Sequence, residues 1–219
     1  MRKLMLATAA ALGLAASAGG ANATLTYTIW NAAGLSHTAT FPVPTTGLFA
    51  SFTSTNDTLN FANHNGPGGS NTFADFFGGA NAGFSPPLSA AQLATTMSTS
   101  DTGTDISTFI RITETYTLAA AMTSTLDHDD GAAIYLDGAG NGGQLCGNPA
   151  EANENAQTCI FPAGTHSLTL LYTEDNGAPA ILQVALPPEA VAAPEPASLA
   201  LLGSALAGLG VFLRRRRTA

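Results

Sequence analysis

Hydrophobic and polar side chains alternate over several stretches of the chain, with the period of two that is typical of β-strands with one buried face. The longest stretch covers residues 115–127, where apolar residues from Tyr116 to Leu126 alternate mostly with threonines. Three isoleucines, at positions 106, 110 and 112, give a similar face just before it. Shorter candidate strands lie at 25–30, 48–52, 132–136, 167–173 and 180–186.

Turn signals separate these candidate strands at Asp130-Gly131, Asp137-Gly138 and Asn176-Gly177. Between residues 24 and 193 no long stretch has helical periodicity, and only residues 92–97 favour a short helix, whereas a signal-peptide helix and a transmembrane helix are expected at the two ends of the chain. Short strands at this spacing predict an all-β domain, built as an antiparallel sandwich or a barrel.

Residues 63–84 interrupt this pattern with a segment that is dense in glycine and asparagine. Two interpretations fit its phenylalanines. They either pin the segment onto the sandwich or form an aromatic platform for a ligand. The phenylalanines concerned are Phe73, Phe76, Phe77 and Phe84.

The N-terminal residues have the layout of a secretory signal peptide. Arg2 and Lys3 precede an apolar stretch over residues 4–14, and Ala21 and Ala23 form a small-x-small cleavage site around Asn22. We expect signal peptidase to remove residues 1–23, so that the mature chain starts at Thr24.

The C-terminal residues combine three ordered features. Pro194, Glu195 and Pro196 precede an apolar stretch over 197–213, and Arg214, Arg215, Arg216 and Arg217 follow it. As a helix, 197–213 would reach roughly 25 Å, the short end of a membrane span, and the arginines would hold that end in the cytoplasm. An ordinary C-terminal anchor would share the span and the arginines, but it does not need the Pro-Glu-Pro triplet.

Together these features resemble the PEP-CTERM sorting signal of bacterial envelope proteins. The resemblance implies that an exosortase, a membrane transpeptidase-like enzyme, recognises Pro194, Glu195 and Pro196 and cuts nearby. We therefore expect a sandwich domain at 24–186, a linker at 187–193 and a sorting signal at 194–219. The protein would be exported, held briefly in the inner membrane, and then placed at the cell surface or in the extracellular matrix.

The expected mature chain is strongly acidic. Between residues 24 and 193 only Arg111 is basic, against fourteen Asp and Glu residues, which gives a net charge of about −13. Such a surface repels phosphate backbones, so nucleic acid is not an expected partner. The charge could attract divalent cations, or it could serve only solubility.

Cys146 and Cys159 are the only cysteines. In an exported protein they favour a disulfide, with two free thiols as the alternative. Zinc normally needs four ligands, so two cysteines alone do not predict a metal site.

Four carboxylates fall within residues 127–138, a segment that the strand at 115–127 would deliver to the turn at Asp130-Gly131. Adjacent carboxylates repel unless a cation or backbone N–H groups compensate them. Oxygen ligands of this kind suit calcium. The simpler interpretation is that Asp129 and Asp130 hydrogen-bond the turn backbone.

The segment HDDGAAIYLDG, followed by AGTHSLTLLYTEDNGAPAILQVAL, is similar to the protective-antigen-like, or PA-fourteen, module over residues 106–186. The resemblance implies a jelly-roll-like β-sandwich that often binds carbohydrate. In adhesin members the paired aspartates hold calcium through a cis peptide, and they match Asp129 and Asp130. Other members keep the Asp-Asp-Gly turn without metal. His166 falls at a position where the resemblance implies packing or hydrogen bonding.

The sequence carries no marked nucleophile elbow, phosphate loop or zinc-protease motif. Glu174-Asp175 and Asp129-Asp130 could form a carboxylate pair for glycan hydrolysis if the fold faced them across a cleft. The leading expectation is a non-enzymatic envelope protein in adhesion or exopolysaccharide and biofilm structure. A calcium-dependent carbohydrate-binding module is the alternative, with calcium as the one candidate cofactor, and a glycan hydrolase comes third.

Overall fold

A computed structural model describes residues 24–66, 69–99, 106–138, 143–150 and 153–188. The expected signal peptide and the expected sorting signal at 194–219 lie outside these ranges. The strands within them are β1 Leu25–Ala33, β2 Leu48–Ser54, β3 Thr58–Asn63, β4 Phe84–Ser85, β5 Ile106–Leu118, β6 Met122–Asp129, β7 Ala132–Leu136, β8 Gln144–Asn148, β9 Asn155–Phe161, β10 Gly164–Glu174 and β11 Ala180–Ala185.

The strands form two sheets whose neighbours all pair antiparallel. One sheet has seven strands in the order β4-β2-β1-β5-β10-β7-β8, and the other has four in the order β3-β11-β6-β9. The predicted all-β antiparallel sandwich is confirmed. No helix of the described residues is long and apolar enough to cross a membrane, and the predicted span at 197–213 lies outside them.

The main core lies where the alternating pattern places apolar side chains on the facing sides of the two sheets. Ile112, Leu170, Leu126 and Leu182 are fully buried in it. A second, smaller cluster contains Trp30, which packs edge-on against a phenylalanine of β5.

The single strand predicted at 115–127 is wrong. It is two strands, β5 in the seven-stranded sheet and β6 in the four-stranded sheet. The break falls at residues 119–121, three exposed alanines. Because alanine counts as apolar, the period of two continues through the turn and hides the passage from one sheet to the other.

The segment at 63–84 contains a helix, α1 Phe73–Phe77, and a 3-10 helix, Gly78–Gly83. Thr72 caps α1 by accepting a hydrogen bond from the Asp75 N–H, and the Asp75 carboxylate accepts one from the Thr72 N–H in return. The four phenylalanines are buried in the main core, so they pin the segment rather than form an exposed platform. The short helix predicted at 92–97 is α2 Ala90–Leu93, displaced toward the N-terminus.

The predicted disulfide between Cys146 and Cys159 is confirmed, with a Cα–Cα distance of 5.3 Å. Cys146 lies on β8, an edge strand of the seven-stranded sheet, and Cys159 lies on β9, an edge strand of the four-stranded sheet. The bond therefore joins the two sheets covalently along one side of the sandwich.

Candidate functional site

The Asp-Asp-Gly turn is the corner at which the chain passes between the two sheets. Asp129 ends β6 and pairs with Ile181 in the four-stranded sheet, while β7 pairs with β10 in the seven-stranded sheet. Gly131 is required here by close contact, because a Cβ would lie 2.5 Å from the Pro149 carbonyl oxygen and 2.6 Å from Thr173 Oγ1. The Gly131 carbonyl accepts the Thr173 N–H at 2.8 Å. This pairing holds the turn against β10.

The end of β10 brings Glu174 and Asp175 next to this corner. The Asp175 N–H donates to Asp130 Oδ2 at 2.7 Å, and all three carboxylate side chains are buried. His37 Nδ1 lies 3.5 Å from Asp175 Oδ2. Asp130, Glu174 and Asp175 thus meet at one end of the sandwich. We use the term acidic network for these three residues together with the side chains that contact Glu174, which are Asn71, Ser98 and Tyr172.

Glu174 is the centre of the acidic network. Its Oε1 accepts from Asn71 Nδ2 at 3.0 Å and from Ser98 Oγ at 2.9 Å, and its Oε2 lies 2.8 Å from the Tyr172 hydroxyl. The side chain has no exposed surface. Burial, with Asp130 as a nearby negative charge, raises the pKa of Glu174 well above its ordinary value.

The Tyr172 hydroxyl lies within hydrogen-bond distance of two oxygen atoms. That hydroxyl lies 2.7 Å from the Asp129 carbonyl oxygen, which can only accept. Tyr172 has one proton, so when it donates to the carbonyl, the contact with Oε2 needs its proton from Glu174. The hydrogen bonds from Tyr172, Ser98 and Asn71 by themselves lower the pKa of Glu174, and burial together with the Asp130 charge outweighs them.

Asp129 lies in a different environment from Asp130. Burial and the charges of Glu154 and Asp127 raise the pKa of Asp129 to about 6, whereas Asp130 faces the Asp175 N–H and Glu174. The cis peptides among the described residues all precede proline, so the Asp129–Asp130 peptide is trans.

The calcium site that the resemblance implied stays a prediction for these side chains. Asp129 and Asp130 have different partners, and Asp130 Oδ2 already accepts a backbone hydrogen bond. Within the described ranges, no group of three or more His, Cys, Asp or Glu residues is arranged to hold a metal ion. The backbone N–H of Asp175 supplies part of the compensation that a cation would otherwise give.

The carboxylate pair considered for glycan hydrolysis is not open to a polysaccharide. Glu174 and Asp175 are 0% and 1% exposed, and both oxygens of Glu174 are engaged by protein groups. What the network can do in this arrangement is hold a proton and tie the segment around Asn71 and Ser98 to β10.

Two histidines anchor the neighbouring turns. His128 Nδ1 lies 2.6 Å from the Asp130 carbonyl oxygen, so this nitrogen carries the proton, and burial lowers the pKa of His128. His166 Nδ1 lies 2.6 Å from Asp137 Oδ2, and its Nε2 lies 3.2 Å from the Ala163 carbonyl oxygen. Both ring nitrogens of His166 face acceptors, and the Asp137 bond raises the pKa of His166. The surroundings of His166 are thus hydrogen-bonding, as the resemblance implied.

The sequence indicates Asp129, Asp130 and Glu174 as candidate site residues. It does not indicate that Asn71, Ser98 and Tyr172 contact Glu174. Asn71 and Ser98 are 103 and 76 residues from Glu174, in a segment where polar residues are common. No local pattern distinguishes them. The other predicted site residues, Ala21, Ala23, Pro194, Glu195, Pro196 and Arg214 to Arg217, lie outside the described ranges.

Comparison with known proteins adds one family match and several structural ones. Residues 192–217 match the model of the PEP-CTERM protein-sorting motif. A comparison with curated protein sequences found no match.

The structure is similar to the PA14 sugar-binding domain from an RTX adhesin, with a TM-score of 0.52 and 16% identity over 75% of this chain and 89% of that one. The PA14 domain of the MpAFP antifreeze protein gives a TM-score of 0.49 and 13% identity, over 73% of this chain and 79% of that one. A GH31 α-xylosidase from Xanthomonas citri gives a TM-score of 0.37 and 10% identity, and the match covers 77% of this chain but only 14% of the enzyme. The first of these likenesses establishes the fold. The chain therefore carries a PEP-CTERM protein-sorting motif at residues 192–217, and its described residues adopt the PA14 fold.

Proposed function

We propose that the protein is exported and sorted by an exosortase, and that its mature domain acts in adhesion or in exopolysaccharide and biofilm structure. The motif at 192–217 is the observation that carries the proposal. In this scheme residues 1–23 are the signal peptide, 24–186 the working domain, 187–193 the linker, and 194–219 the sorting signal with its span at 197–213. Signal peptidase, the exosortase and the inner membrane are then the partners in transit.

The sorting step is tested by changing the triplet. Replacing Pro194, Glu195 and Pro196 with alanine should leave the protein in the inner-membrane fraction of an exosortase-positive host. Pro187→Ala/Pro188→Ala in the linker is the matched control and should be sorted normally. Normal surface delivery of the triple variant would overturn the sorting proposal.

Polysaccharide is the partner that we infer for the mature domain. The fold is the one seen in a domain described as sugar-binding, and the acidic surface argues against nucleic acid. Retention of the purified mature protein by exopolysaccharide from its own host would support this inference. No retention, for a protein whose melting curve shows it to be folded, would count against it.

Calcium dependence is a separate hypothesis, which rests on the match of Asp129 and Asp130 to the adhesin aspartates. It requires calcium to raise the melting temperature of the wild type but not that of Asp129→Asn/Asp130→Asn. Because the described side chains do not form a metal site, we expect the same melting curve with calcium and with a chelator. A calcium-induced rise that the double variant lacks would restore the calcium-dependent lectin hypothesis.

A further inference from the structure

Asparagine followed by glycine occurs three times in the expected mature chain, at Asn65-Gly66, Asn141-Gly142 and Asn176-Gly177. This dipeptide is chemically labile. The backbone nitrogen of the glycine can attack Cγ of the asparagine, and glycine has no Cβ to obstruct the attack. The pair at 141–142 lies outside the described ranges, and the structure places the other two pairs in contrasting surroundings.

The nitrogen that would react at Asn176-Gly177 is held in a hydrogen bond. The Gly177 N–H donates to Ser98 Oγ at 3.0 Å, and Ser98 is 2% exposed. The same hydroxyl donates to Glu174 Oε1, so it belongs to the acidic network. Attack by the Gly177 nitrogen would break this bond and leave the buried hydroxyl without that donor. The fold therefore slows the reaction at Asn176.

The nitrogen that would react at Asn65-Gly66 is accessible. Both residues are exposed, and among the described residues none accepts a hydrogen bond from the Gly66 N–H. An added Cβ at Gly66 would meet no atom within 4 Å. The Asn65 side chain donates from Nδ2 to the Ser70 carbonyl oxygen at 2.8 Å, in an exposed bond that water can replace. This pair lacks the restraint that Ser98 places on Gly177.

We propose that Asn65 is a site of spontaneous deamidation in the folded protein and that the fold protects Asn176. The Gly66 nitrogen forms a bond to Asn65 Cγ. The side-chain nitrogen leaves as ammonia and takes the proton of the Gly66 amide, which gives a succinimide ring. Water then opens the ring at either carbonyl group and produces aspartate or isoaspartate at position 65. Water is the only co-reactant, so the change needs no enzyme and no oxidant.

Deamidation would change the segment that supplies Glu174 with a hydrogen-bond donor. Asn63 Nδ2 and Asn65 Nδ2 both donate to the Ser70 carbonyl oxygen at 2.8 Å. An aspartate at position 65 has no side-chain donor, so one of these two bonds is lost and a negative charge faces the carbonyl oxygen. Ser70 precedes Asn71, whose Nδ2 donates to Glu174 Oε1 at 3.0 Å. The modification therefore weakens the support of this part of the acidic network.

Peptide mass spectrometry of the purified mature protein, incubated at mildly alkaline pH, tests the inference. In the folded protein we expect Asn65 to convert to the acid at least about tenfold faster than Asn176, a difference of about 1.4 kcal/mol in activation free energy. In urea the two rates should become similar, because both sites then have the same Asn-Gly sequence and Gly177 no longer contacts Ser98.

Gly66→Ala is the matched variant for the reacting nitrogen. The added methyl group obstructs attack on Asn65 Cγ, and the fold accommodates it because it meets open space and Gly66 does not adopt a left-handed backbone conformation. This variant should slow the conversion of Asn65 at least about tenfold and leave that of Asn176 unchanged.

Three results would overturn the inference. These are equal conversion of Asn65 and Asn176 in the folded protein, conversion of Asn65 only in urea, and an unchanged rate at Asn65 in Gly66→Ala.

The structural consequence has its own test in Asn65→Asp, which reproduces one of the two products. This variant should melt at a lower temperature than the wild type, because the bond to the Ser70 carbonyl oxygen is lost. The matched control is Asn60→Asp, which adds the same charge at an exposed position of β3 whose side chain makes no hydrogen bond to another described residue, and it should melt near the wild-type temperature. Equal melting of Asn65→Asp and the wild type would show that the modification leaves the acidic network intact.

Discussion

Glu174 gives the sharpest prediction about the energetics of the fold, because burial raises the pKa of this carboxyl group well above its ordinary value. Glutamine has the same shape as a protonated glutamate. Its Oε1 can accept from Asn71 and Ser98, and its Nε2 can donate to the Tyr172 hydroxyl. We therefore expect Glu174→Gln to change the free energy of unfolding by no more than about 1 kcal/mol.

Glu174→Ala is the contrasting variant. It removes three hydrogen bonds and leaves Asn71, Ser98 and Tyr172 with buried polar groups that lack this partner. Each unsatisfied buried group costs about 1–3 kcal/mol, so we expect a total loss of roughly 3–5 kcal/mol after partial relaxation. A loss of this size would unfold a domain of ordinary stability to a measurable extent.

The pH dependence separates a proton on Glu174 from a merely well-packed carboxylate. The folded-state pKa of Glu174 is raised, so its stabilising contribution is complete below the unfolded pKa of about 4.3 and is lost as pH rises toward the folded pKa. Within that window the free energy of unfolding of the wild type should fall by about 1.4 kcal/mol per pH unit relative to that of Glu174→Gln. Asp129, whose pKa is also raised, titrates in both proteins and cancels in the difference.

The assay is urea unfolding at several pH values, followed by the fluorescence of Trp30, the only tryptophan. Wild type and Glu174→Gln should differ by an amount that changes with pH, while Glu174→Ala should be much less stable throughout. If Glu174→Gln lost as much stability as Glu174→Ala, and the difference from wild type did not depend on pH, Glu174 would be a carboxylate and the reasoning would be wrong.

Three further predictions follow from the structure. Cys146→Ala/Cys159→Ala should lower the free energy of unfolding by about 3 kcal/mol, because the disulfide closes a loop between cysteines that are 13 residues apart. An unchanged urea midpoint would contradict this. Gly131→Ala should lower the melting temperature strongly, since the added Cβ would lie 2.5 Å from a carbonyl oxygen. The matched control is Gly79→Ala, whose added Cβ would meet no atom within 4 Å, and this variant should melt near the wild-type temperature. His166 has a raised pKa, so its contribution is present below about pH 6.5 and lost as pH rises through the folded pKa. Asp137→Asn should remove that pH dependence, and a variant that kept it would show that another group is responsible.

Two of the strands that the sequence pattern predicted well, β7 and β11, are apolar over most of their length and buried at most positions. The bounds predicted for β7 match the structure, and those for β11 differ by one residue. By contrast, β8 and β9 were missed, because Gly147, Asn148 and Asn155 weaken the alternating pattern in the insert that the disulfide closes. Their apolar faces become recognisable only once Cys146 and Cys159 join the two sheets.

The candidate site was predictable only in its local part. Asp129, Asp130 and Gly131 are adjacent in sequence, so their turn could be anticipated, and the two buried residues Glu174 and Asp175 sit beside another turn signal. What the side chains do there depends on Asn71 and Ser98, which arrive from a distant segment. A cluster of carboxylates in sequence is compatible with calcium binding as well as with the simpler turn, and the sequence does not show which donors reach the side chains.

Cleavage by the exosortase is tested by the mass of the mature protein purified from an exosortase-positive host. We expect a product that starts at Thr24 and lacks residues 197–219, and a host without the exosortase should yield a chain that still contains them. A mature protein that retains residues 197–219 in the exosortase-positive host would contradict sorting by an exosortase.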